Sequence, residues 1–204
     1  MTPPRSAHLP PVASTITCAP NGERGAVLDV LVQAFRMDPL TRWAFPDPAT
    51  YRDAFGAFAV AFAGSAFELG SAWCVRGFFG AALWLPPGAG PDEGAVAAVF
   101  ERYVPPERLG VMFTIMQQMG GHHPGGPHWH LPLIGVDPAR QGRGHGSALL
   151  HHAAEWLDRE RQVAYLESTN PLNVPLYERH GFDVVGTIQS GNAPPVFPMV
   201  RRPR

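Results

Sequence analysis

The stretch GVDPARQGRGHGSALL, residues 135–150, sets Gly142, Gly144 and Gly146 at alternate positions directly ahead of an apolar-periodic run. A chain gives up side chains in this way where something must come close to its backbone. Upstream, LPLIGV is a short unbroken apolar run of the kind that forms a buried strand. Downstream, Leu149, Leu150, Ala153, Ala154 and Leu157 share one face of a helix. A strand, a glycine turn and an amphipathic helix make a unit whose helix must cover a sheet, so the chain is not all-helical. The start of that helix offers free N–H groups and the positive end of its dipole, which together form an anion site.

The other segments supply the sheet and its covers. Residues 22–35 carry helical periodicity at Val27, Leu28, Leu31, Val32 and Phe35. DPLTRWAFPDP reads as a turn-rich connector, and residues 51–69 as one long helix rich in Ala and Phe on most faces. SAWCVRGFFGAALWLPPG predicts two strands around a tight turn near Gly77, stopped by Pro86 and Pro87. Residues 95–103 and 107–119 read as helices separated by Pro105 and Pro106, and GGHHPGGPHWH as a loop. After the glycine unit come a strand, VAYLEST, a short helix, VPLYERHGF, ended by Gly181, and two final strands. The expected fold class is α/β in a single domain over residues 15–204. Residues 1–14 are Pro-rich with little to bury and are expected to be disordered.

Composition narrows the function classes. A net charge of −1 gives no basic field to draw nucleic acid or an anionic membrane. The basic tail, Arg201, Arg202 and Arg204, reads as a solvated terminus. Cys18 and Cys74 stand far apart in no CxxC setting, which fits a reducing compartment rather than a disulfide framework. AFGAFAVAFAGSAF is too short and too interrupted by glycine to cross a bilayer. Prolines break the start of the chain where a secretion signal would need a basic and then an apolar run. The expectation is a cytoplasmic protein without nucleic-acid or membrane partners.

Three phosphate-binding patterns compete for the glycines. A Walker loop needs a lysine after its last glycine, and Ser147 stands there instead. A dinucleotide fingerprint needs GxGxxG on the first strand of its unit, but Gly142-x-Gly144 is followed by Ser147 and lies late in the chain. The pattern Q/R-x-x-G-x-G/A is met by Gln141, Gly144 and Gly146, after a strand and before an amphipathic helix.

With that pattern, LPLIGVDPARQGRGHGSALLHHA resembles the coenzyme A-binding segment of the GNAT superfamily of N-acetyltransferases. YLESTNPLNVPLYERHGF is similar to that superfamily's second conserved segment. Asn170, Tyr177, Glu178, Gly181 and Phe182 match it, while Asn173 replaces the usual alanine. Within the superfamily the nearest likeness is to the puromycin N-acetyltransferases, through HWxLxxxGVxPxxQGxGxGS and LExxxPxNxPxYERxGF and, more loosely, AFRMDPLTRWAFPD. The resemblance implies a mixed, largely antiparallel sheet flanked by helices. The coenzyme loop would follow the fourth strand and the second conserved segment the fifth, both in the C-terminal half.

It also implies acetyl-CoA as cosubstrate and a division of labour. The strand residues Ile134 and Val136 would pair with the pantetheine arm, the Val136 amide donating to the thioester oxygen. The backbone from Gln141 through Gly142, Arg143, Gly144, His145 and Gly146 to Ser147 would hold the pyrophosphate, with the Gln141 side chain supporting the loop. Asn170 would contact the coenzyme. Asn173 would either join it at the coenzyme or cap the next helix, whose first turn holds Pro175.

Acyl transfer to an amine also needs an unprotonated amine and a proton for the leaving thiolate. Tyr177 suits the second task, because a phenol is neutral at physiological pH yet able to donate; a helix-anchoring aromatic is the structural alternative. His130 stands eleven residues before Gln141, where histone acetyltransferases of the superfamily carry a glutamate. It is a base candidate, or else a histidine ordering the strand entrance. Glu167 either orients the amine or pairs internally, and Trp129 either walls the substrate or fills the core.

His122, His123, His128 and His130 fall within nine positions. Their spacing matches no helix-borne pair and no cysteine or carboxylate joins them in sequence, so no metal is expected. His151 and His152 read as surface residues of a helix. The expected function is transfer of acetyl from acetyl-CoA to a primary amine of a small molecule, by direct attack in a ternary complex. The alternatives are a protein lysine or N-terminal acetyltransferase and a non-catalytic acyl-CoA-binding regulatory module. A homodimer is compatible with either enzyme.

Overall fold

The computed structural model describes residues 15–19 and 21–204; the expected disorder of residues 1–14 lies outside the described residues. Seven strands form one sheet in the order β1 (Ile16–Cys18), β2 (Ala72–Val75), β3 (Gly80–Leu85), β4 (Trp129–Val136), β5 (Ala164–Ser168), β7 (Phe197–Arg201), β6 (Phe182–Val184). Every neighbouring pair is antiparallel except β4 and β5. This is the largely antiparallel α/β sheet that the resemblance implies.

The exception shapes the molecule. The parallel strands β4 and β5 pair only at Trp129↔Ala164 and His130↔Tyr165 and then part. Pro132 sits where they part. It has no N–H to give a ladder, and the register of β4 on β3 slips between Leu83↔Leu133 and Leu85↔His130. The edge of β4 beyond His130 is therefore left without a β5 partner.

Helices cover both faces. On one face lie α1 (Arg24–Ala34), α3 (Tyr51–Ala63), α5 (Glu93–Tyr103) and α6 (Pro106–His122), whose core includes Leu31, Phe55, Phe62 and Phe100. The other holds α7 (His145–Arg159) and α8 (Val174–Arg179), packed through Leu149, Leu150, Leu157 and Tyr177. Gly135 lets α1 lie directly on β4, because a Cβ there would stand 2.5 Å from the Cβ of Ala34.

Several elements differ from the sequence reading. The long helix at 51–69 is two pieces, α3 and α4 (Ser65–Glu68), parted at Gly64. The connector after Met37 holds a short helix, α2 (Pro39–Ala44), because Asp38 caps it through the Thr41 amide at 2.9 Å and Pro39 suits its first turn. Helix α6 runs on through Gly120 and Gly121, and β4 begins at Trp129, so the histidine-rich loop is shorter than read. The segment carrying β1 went unread, being only three residues long. His152 is half-buried, edge-on to Trp73 with ring centroids 4.5 Å apart, rather than on the surface.

Candidate active site

The gap between β4 and β5 is the site. Three cavities run through it and share walls. The first, about 580 Å³, is bounded by the free edge of β4 at Ile134 and Val136, by the loop before α7, and by Asn170, Asn173 and Tyr177. The second is a neck of about 90 Å³ between Leu133 and Glu167, closed by phenylalanines of α3 and methionines of α6. The third, about 560 Å³, opens beyond it and is bordered by Phe62, Phe100, Met116, His123, His130 and Glu167. Tyr177 and Asp38 stand where the first meets the neck, and Glu167 where the neck meets the third.

The loop of the first cavity is an anion cradle in form. Gly142 and Gly144 take φ of +74° and +86°, conformations that side chains resist. A side chain at Gly142 would project into open space. The turn aims the first amides of the fifteen-residue α7 into the cleft. The Gln141 side chain donates to the Val136 carbonyl at 3.3 Å, tying loop to strand. Ser147 and His180 share a hydrogen bond of 2.6 Å, so the Ser147 hydroxyl is engaged with α8's end. His145 is buried against the Phe79 ring, and burial, reinforced by Arg143 and Arg140, pushes its imidazole pKa down. A cleft with a free strand edge and a ring of amides fits a pantetheine arm ending in a diphosphate.

Arg143 is exposed and its side chain does not line the cleft, although Gly142 and Gly144 on either side of it do. The expected cap at Asn173 is not made: its side chain forms no capping hydrogen bond, and Asn170 instead accepts from the Leu172 amide at 3.0 Å. Asn170 holds the 3-10 turn while Asn173 borders both the first cavity and the neck.

The neck carries the titratable groups. Tyr177 is buried; burial and the nearby Asp38 charge push its phenol well above its ordinary value, so it stays protonated. Burial also raises the Asp38 carboxyl, against hydrogen bonds from the Thr169 hydroxyl at 2.7 Å and the Thr41 amide. On β5, Glu167 has a side chain 3% exposed, and His130 Nε2 lies 2.8 Å from its Oε2. Burial opposes the Glu167 charge, yet His130 beside it, with its hydrogen bond, holds the carboxyl below the usual range. His123 Nε2 lies 3.6 Å from Glu167 Oε1. The predicted His130 and Glu167 thus meet, with Tyr177 across the neck.

Comparison with known proteins bears on this geometry. Residues 89–182 match the acetyltransferase (GNAT) family model, a span that holds β4, the glycine loop, α7, β5 and α8. Over that span the chain is similar to the GNAT acetyltransferases. Mycothiol acetyltransferase of Mycolicibacterium gilvum is 46% identical over 63 residues, 27% of this chain and 21% of that protein. That of Mycobacterium sp. (strain JLS) is 44% identical over 75 residues, 29% of this chain and 25% of that protein. The matched stretch spans about a quarter or less of these curated relatives. The crystal structure of histone acetyltransferase HPA2 and related acetyltransferase from Corynebacterium glutamicum superposes with a TM-score of 0.67 at 26% identity, covering 95% of this chain and 98% of that one. Arylalkylamine N-acetyltransferase 2 from Aedes aegypti shares the fold, with a TM-score of 0.66 at 13% identity over 95% of this chain and all of that one.

Set in the GNAT fold, the residues that the sequence did not single out are Asp38, Thr169 and His123. Asp38 reaches Thr169 across 131 positions. Asp-Pro is a pair that can start a helix, but the segment reads as a connector, and nothing local marks the bond to Thr169. His123 stood within the histidine cluster, and only the fold brings Glu167 to it. Among the described residues no helix is long and apolar enough to cross a membrane.

Proposed function

We propose that this chain is a cytoplasmic, acetyl-CoA-dependent N-acetyltransferase that moves acetyl to a primary amine of a small molecule by direct attack in a ternary complex. The observation that carries the reading is the pair of large cavities meeting at one neck. Acetyl-CoA would enter from the glycine-loop side and the amine from the side of α5 and α6. Only the two reacting ends need meet in a neck of about 90 Å³.

The residues then have separate tasks. The amides of the loop and of α7 hold the diphosphate, and the Val136 amide donates to the oxygen on which negative charge develops. Glu167 attracts the incoming ammonium, and the His130–Glu167 pair accepts its proton, leaving a lone pair to attack. Tyr177 donates its proton to the departing thiolate. Phe58, Phe62, Phe100 and Met116 surround the amine's carbon body and exclude water. An apolar-walled third cavity suits an amphipathic amine better than a protein's lysine, which would need an open groove.

The mycothiol acetyltransferase relatives support acetyl transfer over passive binding, and the likeness to puromycin N-acetyltransferases makes aminonucleosides candidates. The test is thiol release from acetyl-CoA against aminonucleosides, polyamines, amino acids, aminoglycosides and arylalkylamines. Turnover with at least one small amine is expected. Tight coenzyme A binding with no turnover on any amine would point to the regulatory module instead.

A further inference from the structure

The sequence argued against a metal because no carboxylate joined the histidines, but the fold supplies one. His123, His130 and Glu167 place one ligand atom each within 4.8 Å of one another. Glu167 Oε1 is buried and without a hydrogen-bond partner.

The hydrogen bonds behind His123 fix what faces that oxygen. His128 Nδ1 lies 2.8 Å from the Gly126 carbonyl, which can only accept, so Nδ1 carries the proton and His128 Nε2 is an acceptor. His123 Nδ1, 2.9 Å from that Nε2, must therefore be the donor. With both rings neutral, His123 Nε2 is left with a lone pair aimed at Glu167 Oε1 3.6 Å away. A neutral His123, partly exposed, and the buried Glu167 carboxylate then face each other as two electron-pair donors, an arrangement that a cation between them satisfies.

We infer that His123, His130 and Glu167 form a binding site for a zinc-like divalent transition metal, open on one side to the third cavity. The donors are those of an open zinc site, two imidazoles and one carboxylate. Tetrahedral ligands about 2.0–2.2 Å from zinc stand about 3.3–3.6 Å apart. One ligand atom from each residue already lies within 4.8 Å of the other two, so a modest side-chain movement reaches that spacing. His128 plays the outer role usual for a ligating histidine's partner, fixing tautomer and ring orientation. The open position faces the cavity proposed for the amine, so the ion would occupy the proton acceptor and inhibit transfer. That consequence rests on the proposed function; the site itself does not.

The test is equilibrium dialysis of the full chain with Zn²⁺, and with Co²⁺ read by its visible ligand-field absorption. One ion per chain is expected, with the intense spectrum of a tetrahedral site. His123→Ala changes a partly exposed ring and should abolish that spectrum. His128→Ala should weaken binding about 10–100-fold, and His122→Ala should leave it unchanged. A chain that binds no Co²⁺ saturably, the gap being filled by a proton alone, overturns the inference, as does binding that survives His123→Ala. An enzyme that acetylates amines but takes up no metal refutes only the site. One that binds Co²⁺ in this way but acetylates nothing refutes only the proposed function.

Discussion

Tyr177 packs edge-on against Phe182, with centroids 6.3 Å apart, and borders both the first cavity and the neck. Its packing does not depend on the hydroxyl, so Tyr177→Phe should leave the melting temperature and coenzyme binding close to wild type. Turnover should fall about 10²–10⁴-fold, the usual contribution of a positioned acid. Steady-state rates beside calorimetric binding would show it, and unchanged turnover would reduce Tyr177 to an anchor. The glycine loop is tested best at Gly146. A side chain at Gly144 would also strain the backbone at φ +86°, whereas a Cβ at Gly146 meets only Leu176 and Val136 at 3.6 Å. Gly146→Val should fold and bind coenzyme A at least tenfold more weakly by calorimetry; wild-type affinity would contradict the cradle. Tyr177 and the loop were legible because local spacing carries them. Asp38 and His123 were not, since each acquires its meaning from a partner far away in sequence.

At the scale of elements, the parting of β4 and β5 does most to create the site, and Pro132 was its one visible trace. The apolar run predicted the strand but not that half its edge would stand free. Helix α2 was hidden because proline and tryptophan gave its six residues no period. The interior strand β7 is tied to α7 by Arg201, 3% exposed, whose Nη2 meets Asp158 Oδ2 at 2.7 Å. The hydrogen bond from Arg201 holds the Asp158 carboxyl below its ordinary value, burial opposing and the Arg204 amide assisting. A depressed carboxyl contributes stability that is present above its unfolded pKa, about 3.9, and lost as pH falls through the folded value. Urea unfolding from neutral pH downward should show this loss, and Asp158→Asn should remove that part of the acid dependence. Asp158→Ala leaves a buried guanidinium unpaired. Its cost should lie toward the low end of the roughly 3–5 kcal/mol for a broken buried pair, because Asp158 is itself partly exposed. An acid profile identical in wild type and Asp158→Asn would remove the pair from the account.

At the scale of the whole molecule, the cavities on either side of the β4–β5 gap meet in a passage between the two helical layers. Its narrow part is lined by both Glu167 and Tyr177. Such a passage has room for both substrates at once and needs no acetylated residue between them. Initial velocities with acetyl-CoA and an accepted amine varied together test this most directly. The account predicts reciprocal plots that intersect, and no acetyl group on the protein after incubation with acetyl-CoA alone. Parallel plots, or an acetylated side chain that then transfers to the amine, would contradict it.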